Sequence, residues 1–299
     1  MNQENAVLGL LAETSIHAGT GQILGAVDLP IEREAHTGWP CVYGSGVKGA
    51  LRALAYHRKL GDRDLEVVFG PDVGNASDHA GALAVSDARL LLLPVRSLDA
   101  AYRWVTCPAI LERLTRDLRR VGAAGSTATI PKVPVDTAVV DNSATVDPAR
   151  SGVFLEELRV GVRQEDLAEL IEAIGPLIGD AATRGHLAER LTLVDDVVFG
   201  DLVRSAAIPV TAHVKLKYET KTVDGGSLRY QESLPPDTVL YTVLSAFDGR
   251  RQEGSLTAEK VLAAITTTLF GERPYLQIGG NETVGMGWCR VASVAGGAS

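Results

Sequence analysis

The chain has 299 residues, 45% hydrophobic and 22% charged, with a formal net charge of −8 and an isoelectric point near 5.3. That length holds one domain with large insertions or two domains. The acidic balance excludes coating of nucleic acid by bulk charge and leaves local basic faces as the route to a polyanion. No apolar run is long enough to span a bilayer, LLLLPVRS being cut by Pro94 and Arg96. The N-terminal MNQENAVLGLLAETS lacks the basic start and long apolar stretch of a signal peptide. Cys41, Cys107 and Cys289 lie far apart without metal spacing and read as small buried hydrophobes in a reducing cytoplasm.

AVLGLLAETSIH starts as an apolar run and then alternates, the pattern of a buried strand that His17 closes. HAGTGQILGAVDLPIERE, residues 17–34, opens a Gly- and Pro-bearing loop that runs to about residue 44. Asp28 stands there two residues before Pro30. It either shapes a turn or is held as a catalytic or metal-binding carboxylate. GSGVKGALRALAYHRKLG predicts a helix: Val47, Leu51, Leu54 and Ala55 share one face, Lys48 and Arg52 sit a turn apart on another, and Gly61 supplies a stop. With Gly44, Ser45 and Gly46 at its start, backbone donors and helix dipole point the same way. An anion site there stands beside the plainer reading of a solvated basic face.

Residues 61–80 read as a polar loop around FGPD. ALAVSDARLLLLPV is strand-like, and CPAILERLTRDLRRVG is an amphipathic helix beginning just after Pro108. Residues 122–151 are poor in large apolar side chains and rich in turn formers, which predicts an exposed or mobile arm. GVFLEELRVGV reads as a strand and QEDLAELIEAIGPLIG as a helix. From Ile208, VTAHVKLKYETKT and SLRYQESL alternate around VDGG, a β-hairpin signal that carries Tyr230 and Glu232. A strand, VLYTVLSAF, precedes the helix TAEKVLAAITTTLFG with Thr257 as its N-cap. The final YLQIGGNETVGMGWCRVASV reads as strand, Gly-rich turn, strand. Gly279, Gly280, Gly285 and Gly287 could bring backbone N–H groups to a phosphate, or could simply meet the positive φ of a tight hairpin. No Walker or dinucleotide fingerprint is present. Helices and strands mix without strict alternation or a long repeat, so the fold class is α+β, a sheet with helices packed on it and long insertions.

Jointly, the strand ending in His17, the loop bearing Asp28, HTGWP, GSGVKGALR and IGGNETVGMGW resemble the RAMP (repeat-associated mysterious protein) superfamily of CRISPR proteins. HAGTG…VDLPIERE with HTGWP, VSDARLLLLPVRS, YRWVTCPAIL and SLRYQESLP is similar to the backbone subunits of type III-B, or Cmr, effector complexes over about residues 6–292. One departure is G-S-G-V-K-G, where the family tends to carry two serines before the apolar residue. The resemblance implies a single domain over 1–299. Its parts are a ferredoxin-like, RRM-type palm (about 6–60 and 240–292), inserted fingers, a thumb β-hairpin (about 195–235) and the arm at about 122–151. It further implies a cytoplasmic endoribonuclease that binds CRISPR guide RNA and cleaves paired single-stranded target RNA at regular intervals. The implied partners are other copies in a helical filament and other Cmr subunits, with no membrane. On this resemblance Asp28 is the catalytic aspartate, His17 supports it, and Tyr230 and Glu232 complete the catalytic set. Lys48, Arg52, Ser45, Gly279, Gly280, Gly285 and Gly287 contact RNA.

Elementary chemistry runs alongside. RNA can be cut by its own 2′-OH once the phosphate is forced in line, so positioning supplies much of the acceleration. An ordinary carboxylate is a weak base near neutrality, which makes Asp28 the better ligand for a divalent metal, Mg²⁺ or Mn²⁺. An imidazole such as His17 suits proton transfer better. Two other readings stand: a non-catalytic RNA-binding scaffold in which Asp28 shapes the loop, and a stand-alone guide-RNA-processing ribonuclease centred on histidine. The lack of a paired base around His17 weighs against the last.

Overall fold

The computed structural model describes residues 2–71, 79–147, 152–250 and 255–297. The chain enters along β1 (Gln3–Ala12), buried from Asn5 onward, and crosses a long connection to β2 (Cys41–Val42) and α1 (Gly44–His57). After α2 (Asp62–Phe69) come β3 (Leu83–Val85), β4 (Ala88–Val95), β5 (Arg103–Thr106) and α3 (Pro108–Arg120). Next are β6 (Thr137–Asp141), β7 (Val153–Leu155), β8 (Leu158–Glu165) and β9 (Leu191–Leu193). A two-stranded hairpin, β10 (Val210–His213) and β11 (Arg229–Glu232), precedes β12 (Val239–Phe247), β13 (Tyr275–Gln277) and β14 (Trp288–Ala295).

One mixed sheet runs β13-β14-β1-β12-β4-β5-β9-β6-β8-β7, with β2 on β4 and β3 on β12. β1 is interior: Val7 faces Val243 of β12 and Leu10 faces Val291 of β14, both antiparallel. An interior strand covered on both faces needs a near-continuous apolar run, and AVLGLLA supplies one. Gly9 is required there, because a Cβ at that position would lie 2.0 Å from the Leu177 carbonyl oxygen. In the four-strand portion β14-β1-β12-β4 the chain makes two interleaved strand–helix–strand crossings. β1 passes through α1 to β4, and β12 passes through the helix Ala258–Ala263 to β14. α1 buries Val47, Leu51 and Ala55, which its 3.6-residue spacing places on one face.

Several local expectations change. Residues 62–69, read as polar loop, form α2, with Val67 and Val68 buried; residues 72–78 of that expected loop lie outside the described residues. The arm at 122–151 is not an exposed excursion throughout. Its residues 137–141 form β6, whose Ala138, Val139 and Val140 are fully buried between β8 and β9; residues 148–151 lie outside the described set. The strand read through ALAVSDARLLLLPV breaks at Ser86–Asp87 into β3 and β4. The hairpin folds as expected but turns at Tyr218–Lys221, where Lys221 N–H donates to Lys217 O; Asp224–Gly226 turns the return arm instead. Thr257 does cap the helix that follows it, accepting from Lys260 N–H. All three cysteines are free and buried. Among the described residues no helix is long and apolar enough to cross a membrane.

Candidate active site

β11 is where the candidate residues meet. The 17–34 loop lies along it, with Asp28 N–H and Leu29 N–H both donating to the Tyr230 carbonyl, at 3.1 and 3.0 Å. Glu232 N–H returns a bond to Leu29 O at 3.0 Å. The Asp28 side chain reinforces this zipper, its Oδ2 accepting from Tyr230 N–H at 2.7 Å. Pro30 carries no donor and continues the extended path, so the carboxylate is fixed at a strand edge rather than on a free loop. Asp28 is half-buried, and its second oxygen, Oδ1, meets no partner among the described residues.

Glu232 differs. Its Oε2 accepts from Ile31 N–H at 3.1 Å, and its Oε1 pairs with Arg33 Nη2 at 3.2 Å. Both oxygens serve the fold. Arg33 also donates to Gly38 O and to Val203 O, each at 3.0 Å, and so ties the loop, the hairpin and the helical segment before β10 together. Sequence reasoning passed over Arg33, although it sits in the charged triplet ERE directly after the Asp28 motif. Tyr230 lies on the exposed side of β11, 42% accessible, with no hydrogen bond to its hydroxyl among the described residues.

His17 is buried. Its Nδ1 donates to the Glu232 carbonyl oxygen at 2.8 Å, which fixes the ring's orientation. Nε2 turns toward Gly19, where a Cβ would lie 2.5 Å away. The His17 carbonyl accepts from Gly280 N–H at 2.8 Å, and a Cβ on Gly279, at φ +81°, would lie 2.5 Å from the same oxygen. Gly280 thus spends its N–H on His17, and Gly279 packs against the same carbonyl. Gly287 is fixed by the Ile278 carbonyl, 2.1 Å from its Cβ position, whereas Gly285 faces open space at φ +83°. Asn281 Nδ2 donates to Gln231 Oε1 at 3.1 Å, which ties the turn to β11.

The basic residues of α1 form a separate flank. Lys48 Nζ donates to Leu83 O at 2.8 Å, and Arg52 Nη1 donates to Gly70 O at 2.9 Å. Burial, with Arg52 one turn away, holds the Lys48 ammonium below its ordinary pKa. At the helix start the Tyr43 and Gly44 N–H groups are taken by Glu32 and Asp87, each at 2.7 Å, while Ser45 and Gly46 remain exposed. The helix-start donors open to an anion are therefore those beyond Gly44. The structure joins His17, Asp28, Tyr230, Glu232, Gly279 and Gly280 around β11. It leaves Lys48 and Arg52 on their own flank.

Among the described residues, no group of three or more His, Cys, Asp or Glu is arranged to cage a metal. Of the carboxylate oxygens of Asp28 and Glu232, Oδ1 of Asp28 alone has no partner among the described residues. A single carboxylate suits a hard ion that takes its remaining ligands from phosphate oxygens and water.

The RAMP superfamily model matches residues 10–290 of the chain. The CRISPR system Cmr endoribonuclease Cmr4 of Pyrococcus furiosus is 36% identical over 289 residues, covering 95% of this chain and 94% of that protein. A crystal structure of oligomeric Cmr4 from Pyrococcus furiosus superposes with a TM-score of 0.73 at 29% identity, over 98% of both chains. A chain of a type III-B Cmr-beta complex bound to cognate target RNA shares the fold, with a TM-score of 0.72 at 19% identity over 98% of this chain and 97% of that one.

Proposed function

The chain belongs to the RAMP superfamily, and from that premise we propose that it is a backbone subunit of a type III-B CRISPR complex that binds guide RNA and cleaves the paired target RNA. The observation that carries the reading is the Asp28 carboxylate, fixed by Tyr230 N–H on one oxygen and open on the other. Similarity to an endoribonuclease over nearly its whole length supports the activity. The two interleaved crossings of β14-β1-β12-β4 support a ferredoxin-like palm at about 6–60 and 240–292. On this reading the hairpin region at about 195–235 is the thumb, the remaining insertions are fingers, and copies stack along the guide in a filament in the cytoplasm.

Asp28 orients the scissile phosphate, and its Oδ1 would be the atom to hold a divalent cation. Such a cation, Mg²⁺ or Mn²⁺, would supply charge neutralisation at the phosphate. His17 and Glu232 act as positioning residues. The first joins the Gly279–Gly280 turn to β11, and the second joins β11 to Arg33 and Ile31. The Tyr230 hydroxyl faces outward, available to the target strand. In-line attack by the 2′-OH then needs mainly that the strand be held bent over this edge. Lys48, Arg52, Ser45 and the exposed part of the Gly turn contact the guide.

A scaffold role has one observation in its favour, since a cap on Tyr230 N–H is itself a structural task for Asp28. Reconstitution with the partner subunits and guide separates the two. With Asp28→Ala, guide-matched RNA still binds and is no longer cut; undiminished cutting by this variant ends the catalytic reading. Full activity of the unmutated complex in EDTA removes the metal.

A further inference from the structure

Beside the Asp28 loop, the 33–43 segment, β4 and α3 enclose a cavity of about 640 Å³. We propose that this cavity binds the phosphodiester backbone of single-stranded RNA, an inference that rests on the RNA-directed function above. Five arginines face it, in a chain whose net charge is −8.

The acidic residues in its wall are already engaged. Glu34 is paired with Arg113, Asp117 takes Arg89 at 2.6 Å and the Tyr241 hydroxyl at 3.0 Å, and Asp87 takes Gly44 N–H. These bonds hold Arg89 and Arg113 rigid and commit Glu34 and Asp117 to them, while five arginines face three carboxylates in the wall. Arg116 is exposed and has no hydrogen bond or ion pair among the described residues, and Arg120 reaches Asp117 only at 3.8 Å. The open charge is therefore positive. Planar guanidinium groups bind phosphate oxygens bidentately.

Two observations favour RNA over an acidic protein segment. Tyr43 lines the cavity and is 43% exposed, its hydroxyl tied to Arg33 O at 3.4 Å. An aromatic platform beside cationic groups is the arrangement that stacks a base while holding its phosphate. Arg33 also links the cavity to the β11 site, since it lines the one and pairs with Glu232 in the other.

The test uses the full-length chain, labelled oligouridine and an oligoglutamate peptide, titrated across salt concentration. The variant R116E/R120E alters two exposed side chains, and an unchanged melting temperature checks its fold. Expected is a rise in Kd of about tenfold per arginine. The log–log salt slope falls by about 0.7 per arginine. Y43A weakens oligouridine binding with the slope unchanged. If the unmutated chain binds oligouridine and R116E/R120E binds it equally with the same slope, the cavity assignment is overturned while the proposed function stands. If the unmutated chain binds no oligouridine, the RNA-directed reading itself fails and this one with it. Loss of oligoglutamate binding alone in the variant reassigns the cavity to a protein partner and also overturns the proposal.

Discussion

Around β11 the candidate side chains are held by backbone: Asp28 by Tyr230 N–H, His17 by the Glu232 carbonyl, and the glycine turn by the His17 carbonyl. On α1 the candidate side chains do the holding. Lys48 secures Leu83 O, and Arg52 secures Gly70 O, stapling the helix to the segments around β3. Both regions read as equally functional in the sequence, yet they differ in what is left over for a ligand. The loop leaves a carboxylate oxygen without a partner on a rigid edge. The helix flank sets its charges first to binding its own chain. A charged residue is thus better judged by the hydrogen-bonding capacity that folding leaves unused than by its charge.

Asp28→Asn tests that contrast most sharply. An asparagine retains an oxygen for Tyr230 N–H and removes only the charge. Stability should change by less than about 0.5 kcal/mol, measured by urea denaturation. Target cutting by the reconstituted complex should fall about 10²-fold or more. Cutting at the normal rate would reduce Asp28 to a cap and erase the difference between the regions.

Next come the glycines under His17. Gly279→Ala meets both a left-handed φ and the His17 carbonyl, and should cost about 2–4 kcal/mol. Gly285→Ala shares the backbone strain but faces open space, so about 1 kcal/mol is expected. Equal losses at the two positions would mean that the turn does not press on His17. Glu232→Gln keeps the shape of the side chain and breaks the Arg33 ion pair. With both partners mostly buried, about 1–2 kcal/mol should be lost by denaturation. Cutting should be reduced but not abolished, because Asp28 keeps its own bond to β11. Complete loss of cutting at full stability would return Glu232 to the chemistry.

How much of this was legible in the sequence depended on how local the cause was. β1 and β12 announce themselves as apolar runs, and Thr257 marks a helix start by its own side chain. α2 was hidden because DRDLEVVF places four charges among four apolar residues, and its apolar face matters only once it is packed. β6 was hidden because TAVVD is five residues long and takes its partners from β8 and β9, which follow it in the chain. At the site, Asp28 and His17 stand in one motif, and their joint position on β11 follows from that motif meeting RYQES about 200 residues later. The cavity arginines come from ERE, from β4 and from RLTRDLRR, and only the folded chain joins them.

The smallest expected effect separates stapling from recognition on α1. An ammonium has three donors, and the Leu83 carbonyl uses one of them. Lys48→Met keeps the apolar stem and removes the charge, so stability should fall by about 0.5–1.5 kcal/mol. If the two remaining donors reach the guide, the salt slope for guide RNA also falls by about 0.7, the value of one single-strand phosphate contact. A stability loss with an unchanged slope would make Lys48 a staple alone. Any guide contact would then have to come from the exposed donors at Ser45 and Gly46, which no side chain among the described residues has claimed.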